Sequence, residues 1–168
     1  MFSFFTKKFF FTTVYIQVSP DRVTVRNITT GESISERPTV EIRPGQRSQL
    51  LAHGDKAGTY VTRIGVQLDN PFGHPRSIVS DFTAGERLIG SLIKRVVKRA
   101  YFSTSLLVVM HPLGDPEGGF TQIERRALQE MALGAGASEA HVWIGRALTD
   151  HEIVSGSYSV NTDGLVGL

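Results

Sequence analysis

From Val14 onward the chain alternates as β-structure does. Val14-Tyr15-Ile16-Gln17-Val18 reads as a strand, and Ser19-Pro20-Asp21 supplies turn chemistry. Residues 22–28 alternate charged and apolar side chains, the pattern of a half-exposed strand. Thr29-Thr30-Gly31-Glu32 reads as a second turn. A third short strand is expected near residues 33–36, and Thr39-Val40-Glu41-Ile42 alternates again. Residues 43–76 are mixed, with Pro44, Pro71 and Pro75 among glycines and polar groups. They read as an excursion from the main sheet, with short elements at 49–52 and 60–64, and Ile78-Val79-Ser80-Asp81-Phe82 leads back.

The period then changes. Thr83 followed by Glu86 has the spacing of a capping box. Leu88, Ile89, Leu92, Ile93, Val96 and Val97 recur at helical spacing, with Arg87, Lys94, Arg95, Lys98 and Arg99 on the remainder. Those cations gather near the carboxyl end, where the helix dipole favours them. Leu106-Leu107-Val108-Val109-Met110 is continuously apolar, as a strand covered on both faces would be. A loop follows over 112–120, with Gly114, Gly118 and Gly119. Thr121 and Glu124 form a second capping box for a helix carrying Ile123, Ala127, Leu128 and Met131, stopped by Gly134 and Gly136. Ala140-His141-Val142-Trp143-Ile144 is the next strand, with Trp143 expected in the core. From Ser155 the chain is polar and rich in Ser and Gly. The predicted class is α/β: a βββαβαβ mixed sheet with flanking helices and right-handed crossovers.

The amino terminus departs from this pattern. Six of the ten phenylalanines fall in the first eleven positions, at 2, 4, 5, 9, 10 and 11, interrupted by Lys7 and Lys8. At about 100° per residue, Met1, Phe2, Phe5, Phe9 and Phe10 share one half of a helix. Ser3, Lys7 and Lys8 take the other half, with Phe4 and Phe11 spoiling it. Such a segment suits the interface of an anionic membrane, with Phe2, Phe5, Phe9 and Phe10 in the acyl boundary and Lys7 and Lys8 near the headgroups. The alternative is a first strand or a tail tucked onto the core. Lysines in mid-run argue against a secretory signal. The expected organisation is a membrane-contact segment at 1–12, a domain at 13–153 with its excursion at 43–76, and a mobile tail at 154–168.

Composition narrows the function classes. The 168 residues, 40 % hydrophobic and 20 % charged, suffice for one packed domain. A net charge of +2 does not announce a nucleic-acid binder, and none is expected as a partner. The absence of cysteine excludes disulfides, thiol nucleophiles, Cys-ligated zinc and iron–sulfur clusters. No run reaches about 18 apolar residues, so no ordinary membrane-spanning helix is expected. Two groups have metal-ligand chemistry, His111 with Asp115 and Glu117, and Asp150-His151-Glu152, but neither spacing turns its members inward. His53, His74 and His141 are isolated and read as structural. The loop at 114–119 is glycine-rich but acidic and without Lys, so it repels phosphate. No catalytic, cofactor or metal residue is predicted.

Three stretches carry a resemblance. Glu36-Arg37-Pro38-Thr39-Val40 resembles the Glu-Pro-Ser-Val segment of the bacterial actin-like cell-shape proteins of the MreB family. Ile78-Val79-Ser80-Asp81-Phe82 with its helix resembles their Ile-Ala-Asp-Phe helix entry. Gln122-Ile123-Glu124-Arg125-Arg126-Ala127-Leu128, then Gly134-Ala135-Gly136-Ala137-Ser138-Glu139, is similar to their Val-Glu-Arg-Arg-Ala-Val helix and Ala-Gly-Ala-Arg-Glu turn. The matches run in order over residues 14–143. The resemblance implies the first ribonuclease-H-like unit of the actin fold, with 43–76 as a reduced small subdomain. It also implies a membrane role for the amino terminus, which several family members use to bind membrane.

Departures from the family pattern shape the functional expectation. Where the family has an Asp-Leu-Gly-Thr-type phosphate loop, this chain reads Gln17-Val18-Ser19-Pro20-Asp21. Gln17 cannot neutralise Mg²⁺, and Pro20 lacks the N–H that a phosphate cradle wants. Gly145-Arg146-Ala147 stands where the family's Glu-Glu-Pro holds the glutamate that positions water. The sequence stops before the family's second phosphate loop and second domain. These departures imply no ATP hydrolysis and no tight nucleotide binding. Gln17 likewise argues against a two-metal nuclease, which needs clustered carboxylates. The expectation is a non-enzymatic MreB-like protein, cytoplasmic and peripheral on the inner face of the membrane. Its partner would be a full-length actin-like filament protein or a morphogenesis partner. The alternatives are a membrane-surface scaffold without a cytoskeletal partner, a remnant reading frame, or a residual ATPase whose turnover Gln17→Asp would raise.

Overall fold

Alternation along the first strand decides which way the fold is packed. In the computed structural model, which describes residues 11–43, 49–58, 64–98 and 105–158, β1 runs Phe11–Val18. Val14, Ile16 and Val18 lie on one face with no exposed surface, and Tyr15 lies on the other. Two antiparallel strands follow, β2 (Val23–Asn27) and β3 (Ser33–Glu36), as the alternation predicts. Phe11 and Thr12, assigned by sequence to the membrane segment, belong to β1 instead, and Thr12 is only 3 % exposed. Both pair with residues 105 and 106 of a neighbouring strand, and that ladder outweighs the phenylalanine run. Phe2, Phe5, Lys7, Lys8, Phe9 and Phe10 lie outside the described residues.

The excursion is a separate three-stranded sheet of order β5-β4-β6, made of β4 (Val40–Arg43), β5 (Gln49–His53) and β6 (Gln67–Asp69). It begins at Val40, three residues before the boundary drawn from sequence. Of the expected element at 60–64, residues 60–63 lie outside the described residues, and Ile64 is fully exposed. A turn of 3-10 helix at Gly54–Lys56 follows β5.

Helix α1 (Phe82–Val96) starts two residues earlier than a Thr83 cap implies. Its N-cap is Asp81, whose carboxylate accepts the Ala84 N–H at 2.9 Å, so the Thr83–Glu86 box is not the cap. Asp81 precedes the first helical residue and places its oxygen over the third amide, which leaves Thr83 inside the helix. At the other end Asn27, fully buried on β2, donates its amide to the Val96 carbonyl at 3.0 Å. Its oxygen accepts the N–H groups of Thr29 and Thr30. One side chain thereby satisfies a helix end and a turn.

Strand β7 (Ser105–Pro112) lies parallel to β1, and β8 (Glu139–Val142) lies parallel to β7, so the sheet order is β3-β2-β1-β7-β8. Helix α2 (Gln122–Gly134) makes the crossover between them, as a parallel pair requires. Its Thr121–Glu124 capping box is present in both directions, as its sequence predicts. Glu124 also accepts the Ile78 N–H at 2.9 Å, so the cap pins the segment entering α1. Burial raises the Glu124 pKa, but the amides of Thr121 and Ile78 outweigh it and hold the carboxylate ionised. Both helices cover one face of the sheet, where Leu88, Ile89, Leu92, Ile93, Leu128 and Met131 pack on Val14, Ile16, Val25, Val108 and Met110.

The opposite face is covered by the segment that the sequence assigns partly to a mobile tail. A third helix, α3 (Asp150–Ser155), has its own capping box, Thr149 with Glu152. Leu148, Ile153 and Tyr158 pack on Tyr15 and Val109, with Trp143 partly buried at the edge rather than in the main core. The described residues from 154 to 158, which the sequence assigns to the tail, thus include the end of α3 and the buried Tyr158. No helix among the described residues is long and apolar enough to cross a membrane.

Candidate functional site

Parallel strands β1, β7 and β8 end on one edge, and open α/β sheets bind ligands beyond such ends. The register sets Gln17 opposite His111 and Val18 opposite Pro112. The Leu113 N–H donates to the Val18 carbonyl, and the Trp143 N–H to that of Met110, both at 2.8 Å. Gln17, Gly145 and Arg146, far apart in sequence, thus come to one edge, as their resemblance to site positions requires.

Gln17 is a partly buried neutral amide. Pro20 has no N–H to offer, and its carbonyl accepts the Asn70 side chain at 2.8 Å, tying this turn to the segment leaving the small sheet. Gly145 has φ +148°, and a Cβ there would sit 2.9 Å from the Trp143 ring, so only glycine fits without a shift. Arg146 forms a two-point ion pair with Glu152, one contact of which is Nη1 to Oε2 at 3.0 Å. The Arg146 guanidinium, with the Thr149 N–H and hydroxyl, holds the Glu152 carboxyl down to about 2.

Beside Gln17 lies a buried chain of hydrogen bonds. His111, expected in a loop with Asp115 and Glu117, is the seventh residue of β7 and 1 % exposed. Its Nε2 donates to the Gly145 carbonyl at 2.9 Å, and its Nδ1 accepts from the Tyr15 hydroxyl at 2.5 Å. The same hydroxyl oxygen accepts the Leu148 N–H at 3.2 Å. Burial pushes His111 below its ordinary value, against the Gly145 hydrogen bond. Burial raises Tyr15, so its hydroxyl keeps its proton. Arg26 lies over the Tyr15 ring, 5.9 Å from its centre, and pairs with Asp150 at 2.6 Å.

The other singled-out residues are dispersed. Asp150 and Glu152 serve different arginines. His141 lies between Glu139 (2.9 Å) and Tyr158 (3.0 Å). The His74 ring accepts the Arg76 N–H. His53 contacts Ser91 at 2.6 Å and faces Glu36 at 3.6 Å, and Glu36 is itself bound by Arg95 at 2.5 Å. That cluster joins β3, β5 and α1. Among the described residues no three His, Asp or Glu side chains converge as metal ligands would. Tyr15 is the one participant at the edge that sequence reasoning passed over. The signal was its place in β1, two residues from Gln17 and therefore on the same face.

The family described as MreB/Mbl protein matches residues 23–147. Among solved structures, MreB5 of Spiroplasma citri bound to ADP is similar, with a TM-score of 0.61 and 17 % identity. That match covers 79 % of this chain and 37 % of the other. MreB5 bound to AMPPNP gives a TM-score of 0.58 at 17 % identity, covering 77 % of this chain and 37 % of the other. The chain thus spans just over a third of the length of these structures. No curated protein matches it by sequence.

Proposed function

The chain belongs to the MreB/Mbl family, and on that footing we propose that it is a member that does not turn over ATP and serves as a binding module of the cell-shape cytoskeleton. Its fold is the actin-like one of the MreB5 structures. The observation that carries the proposal is the pairing of Arg146 with Glu152 at the strand ends, where the resemblance puts a water-positioning glutamate. A cation locked to a carboxylate cannot act as a general base.

A magnesium nucleotide does not fit the residues that surround this edge. The end of β1 offers the Gln17 amide where a carboxylate would balance the metal, and Pro20 supplies no amide to a phosphate. The loop after β7 adds Asp115 and Glu117, whose charge opposes a polyphosphate. What remains is a family surface without the family chemistry. Its partner is a full-length actin-like filament protein or a morphogenesis partner, met at the inner face of the cytoplasmic membrane. Phe2, Phe5, Phe9 and Phe10 with Lys7 and Lys8 form the segment that rests on anionic lipid.

Three assays test this reading. Phosphate release from Mg·ATP stays at the buffer background for the purified chain; turnover above it overturns the non-enzymatic part. The chain co-sediments with filaments of a full-length MreB-type protein; recovery only in the supernatant overturns the cytoskeletal part. Flotation with anionic vesicles is lost on deleting residues 2–10 while filament binding persists. The deletion stops at Phe10 because Phe11 begins β1.

A further inference from the structure

We propose that residues 145–158 form a proton-released strap, latched onto the sheet through neutral His111. The strap lies on the face opposite α1 and α2, where Leu148, Ile153 and Tyr158 meet Tyr15 and Val109 in the smaller of the two apolar clusters. Its root is held at two points by one hydrogen-bond chain, Leu148 N–H to Tyr15, Tyr15 to His111, and His111 to the Gly145 carbonyl.

Both ends of that chain are backbone groups from the strap itself. The Gly145 carbonyl only accepts, so Nε2 donates to it; in the neutral ring Nδ1 is then bare and accepts the Tyr15 proton, while the Tyr15 oxygen accepts the Leu148 N–H. With the neutral ring every donor and acceptor of the latch is paired, the Tyr15 proton included. Protonation places a second donor at Nδ1, 2.5 Å from a hydroxyl whose hydrogen already points there. The hydroxyl must turn away and a cation must sit in a position that is 1 % exposed.

Among the described residues, no carboxylate on the elements packed around His111 is hydrogen-bonded to it. On β1 its neighbours are Tyr15 and the neutral Gln17. From β2 comes a second cation, Arg26, paired with Asp150 of α3. In the strap Arg146 is paired with Glu152, and His151 is exposed. From β8, Glu139 contacts His141, which reaches Tyr158. The hydrogen-bond partners of His111 are Tyr15 and Gly145, and no carboxylate is among them. Burial accordingly lowers the His111 pKa from 6.5. A folded value below the unfolded one means that the closed strap is fully favoured above 6.5 and is lost as pH falls through the lowered value. Release lifts α3 and uncovers Tyr15, Val109 and Trp143.

Trp143 is the chain's single tryptophan and touches this cluster, so its emission reads the strap directly. The intact chain is titrated from about pH 8 to about pH 4.5, a range spanning histidine protonation, with far-UV circular dichroism recorded alongside. The expected result is a red shift of Trp143 emission centred below 6.5 with secondary structure retained. His111→Gln, which stays neutral, removes the transition. Tyr15→Phe, which breaks the chain at its middle, shifts emission to the red already at neutral pH. His53→Gln leaves the transition in place, because His53 lies at the joint with the small sheet. Three results overturn the proposal: an unchanged transition in His111→Gln, wild-type emission at neutral pH in Tyr15→Phe, or a wild-type shift that appears only with loss of the dichroism signal.

Discussion

On one face of the five-stranded sheet, two long helices bury Leu88, Ile89, Leu92, Ile93, Leu128 and Met131 against a wall of valines and Met110. On the other, a six-residue helix and the segments flanking it meet the sheet through Leu148, Ile153 and Tyr158, a polar chain at Tyr15 and His111, and one arginine–carboxylate pair, Arg26–Asp150. Apolar burial scales with area and tolerates small changes of angle. Hydrogen bonds to buried groups tolerate little, and a lost partner leaves a penalty behind. The helix face therefore supplies most of the stability. The strap face supplies position, and it is the one that opens independently.

Substitutions that treat the two faces alike test this contrast. Leu92→Ala removes a fully buried side chain from the helix face and is expected to cost about 3–4 kcal/mol. Urea unfolding measures it, and a loss below about 1 kcal/mol would contradict a rigid core there. Ile153→Ala makes a similar deletion on the strap face. A short helix can undock locally, so global stability should fall less, by about 1–2 kcal/mol, while amide exchange rises over 145–158. Equal global losses from the two substitutions would erase the distinction. The smallest effect compares two caps of the same chemistry, Thr121 and Thr149. Each Thr→Ala change costs about 1 kcal/mol. For Thr121 it appears in the unfolding midpoint, and for Thr149 in strap exchange with the midpoint nearly unmoved.

The face with stronger periodicity was the easier one to read. The spacing of Leu88 to Val97, the apolar run at 106–110 and the Thr121 box placed α1, β7 and α2 to within a residue or two. These signals lie within single elements. The strap was hidden because α3 is too short to show a period, and its Ser and Gly residues read as a tail. Its Thr149–Glu152 box has the same spacing as Thr121–Glu124 and is the one local signal for it that went unused. Likewise Asp81 displaced Thr83 as a cap because both residue types cap helices, and only the backbone at the entry distinguishes them.

At the strand ends the division is sharper. Gln17 and Gly145-Arg146 could be placed by resemblance alone, since their positions follow from strand order. Sequence also determined what groups they present, because an amide stays uncharged and proline has no N–H wherever the fold puts them. What Arg146 does, and what His111 is for, needed the tertiary structure. Tyr15 and His111 are 96 residues apart, and Tyr15 and Leu148 are 133 apart. The parallel register of β1 with β7 brings Tyr15 to His111, the return of the chain after β8 brings Leu148 to Tyr15, and burial at that contact favours the neutral form of the histidine. Local periodicity is a property of consecutive residues and can be read along the chain. A hydrogen-bond chain closed across the sheet depends on where distant segments meet, which no local spacing records.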